Sequence, residues 1–281
     1  MDFPILGVED LSYPEAVSLD RYELGEGPLW DDARKRLTWV DIYSGSVWES
    51  DPELIQPVCV ASFDSPVSCV LRVNNELLVA VGVELYRVTE PGPVFVASLA
   101  NEVTGAIRFN DGAVDAWGRV WIGTMSEDGR REAWLYRLDA DRSVMVREYG
   151  PVTISNGIGW SHDNTKMFYV DTPTRMVMVF EYGPDGICGD PQVFADLSEF
   201  DGEPDGLAVD SAGSVWIAMW GGAQLLEVSG SGVRRHKLPF CQPTSICFGG
   251  ADLMDIYVTS AYRSLARPNH FDGRVFKFRR I

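Results

Sequence analysis

Basic residues are scarce in this 281-residue chain: 24 Lys and Arg stand against 41 Asp and Glu, a formal net charge of −17. A surface of that sign repels phosphate backbones and anionic bilayers, which argues against nucleic acid and membranes as partners; it is compatible with a bound cation, although solubility is the plainer reason for most of these carboxylates. Histidine is rarer still, at 3 residues, and the 5 cysteines (Cys59, Cys69, Cys188, Cys241, Cys247) are odd in number, widely spread and without a Cys-x-x-Cys pair. That pattern supplies neither a disulfide framework nor a zinc site, and the expectation is buried free thiols. No run approaches the roughly eighteen apolar residues a membrane helix needs. The opening stretch, Met1-Asp2-Phe3-Pro4, lacks the basic start of a signal peptide, so the expected location is the cytoplasm.

Several catalytic signatures are missing as well. There is no Gly-x-Ser-x-Gly elbow, no Walker loop, no dinucleotide Gly-x-Gly-x-x-Gly after a strand and no His-Glu-x-x-His. Gly25-Glu26-Gly27-Pro28 is no phosphate loop, because Pro28 removes a donor and no helix pattern follows. Helix signals are nearly absent throughout. Hydrophobic residues at 46%, aromatics at 11% and 27 glycines describe instead a turn-rich β protein.

What is present is a repeat. Asp205-Gly206-Leu207-Ala208-Val209-Asp210-Ser211-Ala212-Gly213-Ser214-Val215-Trp216-Ile217-Ala218-Met219 reads as two short strands joined by a Gly turn. With Asp205 as the reference position, an apolar residue four on and a second strand about eleven on recur from Glu26, Pro66, Asn110, Asn156 and Thr244. In chain order the six reference positions lie 40, 44, 46, 49 and 39 residues apart, and the second strands begin near Leu37, Leu77, Val120, Met167, Val215 and Asp255. A period in the forties built of short strands is that of a propeller blade.

The expected fold is therefore all-β, a six-bladed β-propeller of four-stranded blades in one domain over 1–281, with residues 1–14 an arm leading into the ring. The last copy shows only three strands, at 245–248, 255–259 and 273–278, while a strand-like stretch at 16–24 precedes the first complete copy. Pairing that N-terminal strand into the last blade closes the ring and removes an exposed edge. A two-sheet sandwich is the competing architecture, but six in-phase copies of a four-strand unit favour the ring.

In such a ring the innermost strands line one channel, so the reference positions approach one another around the axis. Glu26, Asn110, Asn156, Asp205 and Thr244 offer only oxygen among their metal-binding atoms, and Pro66 offers none. Such a set suits Ca²⁺, Mg²⁺ or Mn²⁺, and carboxylate and amide oxygens also take Zn²⁺. Turn chemistry is the plainer reading of Asn156-Gly157, Asp205-Gly206 and Asp111-Gly112 taken singly. It does not explain Glu26, nor why polar residues fall at the one position that faces a shared axis. Arg108, two residues before Asn110, should point at the channel mouth with a fork of donors for hydroxyls or a carbonyl. Glu127 and Asp128 read as a solvated loop, and His162 as a turn residue.

These stretches resemble the senescence marker protein/gluconolactonase/luciferin-regenerating enzyme (regucalcin-like) family across roughly residues 20–281. The resemblance rests on Gly25-Glu26-Gly27-Pro28-Leu29-Trp30, Arg108-Phe109-Asn110-Asp111-Gly112, Gly118-Arg119-Val120-Trp121-Ile122-Gly123-Thr124-Met125, Ser155-Asn156-Gly157-Ile158-Gly159-Trp160-Ser161, Pro204-Asp205-Gly206-Leu207-Ala208-Val209-Asp210 and Thr259-Ser260-Ala261. It implies one divalent metal on the axis held by Glu26, Asn156 and Asp205. It also implies substrate contacts at Arg108 and Asn110 and an acidic one at Asp128 or its neighbour Glu127. The loop from Ser126 to Glu132 is compact, so the cap over the substrate is expected to differ from that of other members.

The activity so implied is a lactone hydrolase of carbohydrate metabolism: a sugar lactone opened to its aldonic acid, the metal polarising the carbonyl and Asp205 assisting water attack. Within enzymes the alternative is a metal-dependent esterase or phosphotriesterase. From another class, it is a calcium-binding propeller without turnover.

Overall fold

Three hairpins share one local device that starts a blade. Asp115 Oδ1 accepts the backbone N–H groups of Trp117 and Arg119, both at 2.9 Å, while its Oδ2 accepts the Trp121 indole N–H at 3.1 Å. Asp210 repeats this with Ala212 (2.8 Å), Ser214 (2.9 Å) and the Trp216 indole (3.0 Å). Asp31 Oδ1 takes the N–H groups of Ala33 and Arg34, both at 3.1 Å. An aspartate whose side chain bonds the backbone just ahead of it fixes a tight turn. The indole bond then pins the returning strand.

These turns organise a computed structural model that describes residues 4–11, 13–139 and 144–280. It is a six-bladed β-propeller with one short 3-10 turn, Thr172–Thr174, as the helix among the described residues. The innermost strands are Gly25–Asp31, Val67–Val73, Ile107–Val114, Ser155–Trp160, Glu203–Val209 and Pro243–Gly249. In each blade the next strands add outward in chain order. Neighbouring inner strands pack around the ring, and Pro243–Gly249 meets Gly25–Asp31 to complete it. No helix among the described residues is long and apolar enough to cross a membrane.

Closure takes the expected form. Ala16–Val17 is the outermost strand of the sixth blade, pairing Ala16 with Lys277 and Val17 with Phe276. It is shorter than the pattern at 16–24 suggests, because Ser18 Oγ donates to Asp20 O at 3.0 Å and turns the chain away. Leu24 returns as a single bridge to Ala261.

The arm at 1–14 does more than lead in. Ile5–Asp10 adds to the fifth blade as a fifth, parallel strand along Gly232–Lys237. Its pairing is carried by the backbone while Ile5, Leu6 and Val8 stay exposed, so no alternation of side chains marks it in the sequence.

Strand alternation builds the core. In Val215–Trp220, Val215, Ile217 and Met219 pack toward the fourth blade, while Trp216 and Ala218 pack toward the sixth. The same division occurs at each seam, so the described residues form six apolar clusters, one between each pair of neighbouring blades. The cysteines depart from expectation. All five are free, but Cys59 and Cys188 are exposed, because each sits on an outermost strand whose far side meets water.

Candidate functional site

Every inner strand breaks register with its neighbour at the reference position or, in the second blade, just after it. The shift falls between Glu26 and Leu29, Val67 and Cys69, Phe109 and Gly112, Asn156 and Ile158, Pro204 and Leu207, and Pro243 and Ser245. A bulge re-aims the residues it contains, and at this level it turns Glu26, Asn110, Asn156 and Asp205 toward the axis. Asn156-Gly157 and Asp205-Gly206 are therefore not turns; both lie within strands. Their glycines answer to close packing instead. A Cβ on Gly206 would meet Ser245 Oγ at 2.1 Å, and one on Gly157 would meet Asp205 O at 2.7 Å.

The segments leading into two of these strands are anchored by carboxylates from second strands. Asp41 accepts the N–H groups of Glu23 (3.1 Å) and Leu24 (3.0 Å), three and two residues before Glu26. Asp171 accepts those of Thr153 (3.1 Å) and Ile154 (3.0 Å), ahead of Asn156.

At this level the channel opens into a cavity of about 250 Å³ lined by Glu26, Arg108, Asn110, Asn156, Thr172 and Asp205, with Tyr43, Glu203, Trp220 and Arg263 among the residues around them. Asn110 Nδ2 donates to Asn156 Oδ1 at 3.1 Å and to Ser155 O at 3.0 Å. Arg108 Nη1 donates to Asn110 Oδ1 (3.0 Å), Phe109 O (2.8 Å) and Ser68 Oγ (3.3 Å). The Arg263 guanidinium lies 3.6 Å from the Tyr43 ring centroid.

The remaining sequence candidates separate. Glu127 Oε1 lies 3.5 Å from Arg108 Nε, whereas Asp128 turns to Arg130 at 2.9 Å; neither lines the cavity. The Thr244 hydroxyl is bonded to Gly25 O (2.6 Å) and Thr259 Oγ1 (2.8 Å) in the seam between the last and first blades. His162 lies in the turn after Ser155–Trp160.

A second, larger cavity of about 520 Å³ occupies the far end of the channel, with Leu29, Trp30, Val70, Ile158 and Leu207 in its walls and Asp111 among them. Its lining is mainly apolar, and the converging polar groups are at the smaller one.

Asp111 acts on the site electrostatically. Burial pushes the Glu26 carboxyl well above the usual carboxylate range, and the charges of Asp205 and Asp111 push it further. Burial and then Asp111 do the same to Asp205. Burial raises Asp111 itself to about 6. Arg108 is the cation that relieves Glu26 and Asp205, and it does not offset either rise. Excess buried negative charge beside oxygen donors fits a hard divalent cation. Among the described residues no three His, Cys, Asp or Glu side chains enclose an ion by themselves. The axial set is a mixed one, in which two carboxylates are joined by the Asn156 amide.

Thr172 and Asp111 escaped sequence reasoning. Thr172 follows a strand in Asp171-Thr172-Pro173, where a threonine reads as ordinary strand-end chemistry, and Asp111 reads as half of an Asp-Gly turn.

Residues 24–262 match the family model described as SMP-30/Gluconolactonase/LRE-like region. The chain is 35% identical to regucalcin of Gallus gallus over 268 residues, covering 90% of this chain and 88% of that protein. It is 36% identical to pentonolactonase XacC of Haloferax volcanii over 243 residues, covering 85% and 81%. Among solved structures, a luciferin-regenerating enzyme superposes with a TM-score of 0.84 at 27% identity, covering 92% of each chain.

Proposed function

The chain belongs to the SMP-30/Gluconolactonase/LRE-like family, and on that premise we propose that it is a metal-dependent sugar lactonase that hydrolyses an aldonolactone to the aldonic acid. The observation that carries the reading is the convergence, in one axial cavity, of buried Glu26, Asn156 and Asp205 with the hydrogen-bonded pair Arg108 and Asn110.

Glu26, Asn156 and Asp205 would hold the cation, and when bound it supplies Lewis-acid polarisation of the lactone carbonyl and charge compensation for the two carboxylates. Arg108 is held through Nη1 by three acceptors, so its guanidinium is fixed in place to meet the sugar hydroxyls. Asn110 shares that surface. Glu127, beside Arg108, keeps the guanidinium turned to the mouth. Asp205 accepts a proton from the attacking water as its oxygen adds to the lactone carbonyl carbon. Tyr43 and Trp220 give the cavity apolar surface on which a sugar ring can rest.

The test is a pH-indicator hydrolysis assay of metal-stripped protein against glucono-, galactono-, xylono- and arabinono-lactones, with Ca²⁺, Mg²⁺, Mn²⁺ and Zn²⁺ restored singly. Metal-dependent acid release above the spontaneous rate is expected. No release from any lactone, with metal binding verified by calorimetry, would refute the lactonase reading.

A further inference from the structure

One bond recurs around the axis. The carbonyl immediately before each of four cavity-lining residues, Glu26, Asn110, Asn156 and Asp205, accepts a hydrogen bond from a side chain of the neighbouring blade. Phe109 O, before Asn110, accepts from Ser68 Oγ at 2.6 Å. Ser155 O, before Asn156, accepts from Asn110 Nδ2 at 3.0 Å. Pro204 O, before Asp205, accepts from Thr172 Oγ1 at 2.8 Å, and Gly25 O, before Glu26, from Thr244 Oγ1 at 2.6 Å. Three of the four donors are hydroxyls, all buried. They span the blade seams at the level where the strands bulge, and so hold the bulges against one another.

Thr172 does two things at once. Its one hydrogen goes to Pro204 O, which leaves its oxygen to accept from Asn156 Nδ2 at 2.9 Å. An amide has two chemically opposite ends, and this bond, together with the one Asn156 makes to the Asp205 carboxyl, sets which faces where. With Nδ2 taken by Thr172, Asn156 Oδ1 is turned to Asn110 Nδ2 and the cavity. A cation needs that oxygen; the –NH₂ end would repel it.

We infer that Thr172 is a positioning residue of the axial site, setting through a single hydroxyl both the amide face of Asn156 and the path of the strand that delivers Asp205. The inference rests on the reading of Glu26, Asn156 and Asp205 as metal ligands. The hydroxyl is neutral, so its effect is on geometry and not on the charge of the site. Valine at this position keeps the shape and removes the hydroxyl, leaving Asn156 Nδ2 and Pro204 O without this partner and the amide less firmly oriented.

The experiment is calorimetric titration with Mn²⁺ alone of metal-stripped wild-type, Thr172→Val, Thr172→Ser and Asn156→Ala proteins, each checked for folding by circular dichroism. Loss of an outer partner of a metal ligand typically weakens affinity about 10–100-fold, which is the change expected for Thr172→Val, with Thr172→Ser within about threefold of wild type. Wild-type affinity in Thr172→Val, alongside lost binding in Asn156→Ala, would overturn the inference and leave the ligand reading standing. Unchanged binding in Asn156→Ala, or none in the wild type, would defeat the ligand reading itself. Thr172→Ala is the second hydroxyl-free variant should Thr172→Val not fold. If neither folds, or if Thr172→Ser binds as weakly as Thr172→Val, Thr172 serves general stability and the inference fails.

Discussion

Asn110 Nδ2 lies 3.1 Å from Asn156 Oδ1, so a residue proposed to hold the sugar is bonded to one proposed to hold the metal. The two roles cannot be fully separated by mutation. Asn110→Ala removes a polar side chain from the substrate surface and also one of the contacts that orient the Asn156 amide. It is expected to lower kcat/KM by about 10²-fold, or ~2.7 kcal/mol, and to weaken Mn²⁺ binding by only several-fold. Steady-state kinetics beside calorimetry checks both. Unchanged metal affinity would show that the Asn156 amide is held without Asn110.

Asp205→Asn should have opposite effects on binding and on stability. Burial and the Asp111 charge already oppose ionisation of Asp205, so removing its charge relieves repulsion in the metal-free protein. The stripped variant is expected to melt a few degrees above stripped wild type, at ~2–4 °C per kcal/mol for a chain of this size. Metal would add little further stability, because a ligand is gone. Melting of both proteins with and without Mn²⁺ decides it; a stripped variant that melts lower would show that Asp205 is not under electrostatic strain.

The same carboxyls set a pH dependence. Folding raises Asp111 to about 6 and also raises Glu26 and Asp205, so between the ordinary carboxylate range and about 6 the folded metal-free protein binds protons that the unfolded chain has released. Stability must then fall as pH rises through that window, and return on acidification. Below the ordinary range the sign reverses. Asp115, whose burial is outweighed by hydrogen bonds from Tyr182, Arg119 and Trp121, and Glu227, bonded by His236, both titrate low, and the stability they contribute is lost as they protonate. Stripped protein should therefore be most stable on the acid side of neutrality, whereas metal-saturated protein should lose that acid gain, since protons compete with the cation. Melting temperature against pH in the two states checks it, and parallel curves would contradict it.

The ring was legible because its cause is periodic. A bulged inner strand recurs with each blade, and an aspartate turn with an indole six residues on recurs in two of them, Asp115 with Trp121 and Asp210 with Trp216, and repetition shows in a single sequence. Ile5–Asp10 was not legible as a strand because backbone pairing holds it and no alternation accompanies it. At the site, Glu26, Asn156 and Asp205 stood out by falling in phase. Thr172 did not, since it belongs to a loop after a second strand and reaches the axis only once blades four and five are packed together. Asp111 was hidden for a related reason: its influence on Glu26 and Asp205 runs through space within the channel.

The Asp115 network offers a control that should leave the site alone. Its carboxylate accepts from Arg119 Nε at 2.6 Å, Tyr182 OH at 2.7 Å and the Trp121 indole, joining the third blade to the fourth. Asp115→Ala would strand a buried guanidinium, and breaking a buried pair this way costs about 3–5 kcal/mol. Denaturant unfolding should show that loss while Mn²⁺ affinity at the axis stays near wild type. A comparable fall in both would mean that the third blade's hairpin is coupled to the axial donors.

Glu127 and Asp128 are adjacent, and the pairing of Arg108 separates them. Glu127 lies 3.5 Å from the Arg108 Nε, while Asp128 is engaged by Arg130 at 2.9 Å on an exposed turn. Glu127→Gln keeps the shape and removes the charge that holds the guanidinium at the mouth. It is expected to raise KM for the lactone by about 5–10-fold, the equivalent of ~1–1.4 kcal/mol for a half-exposed pair beside a buried partner. Asp128→Asn should change KM less than twofold, because an exposed ion pair between mobile side chains contributes little. The contrast is informative in kcat as well. If Glu127 acts only by placing Arg108, kcat falls little in Glu127→Gln and much more in Arg108→Ala, where the positioned donor itself is lost. Equal effects of the Glu127 and Asp128 variants would instead mean that the turn moves over bound substrate, bringing both carboxylates to the sugar.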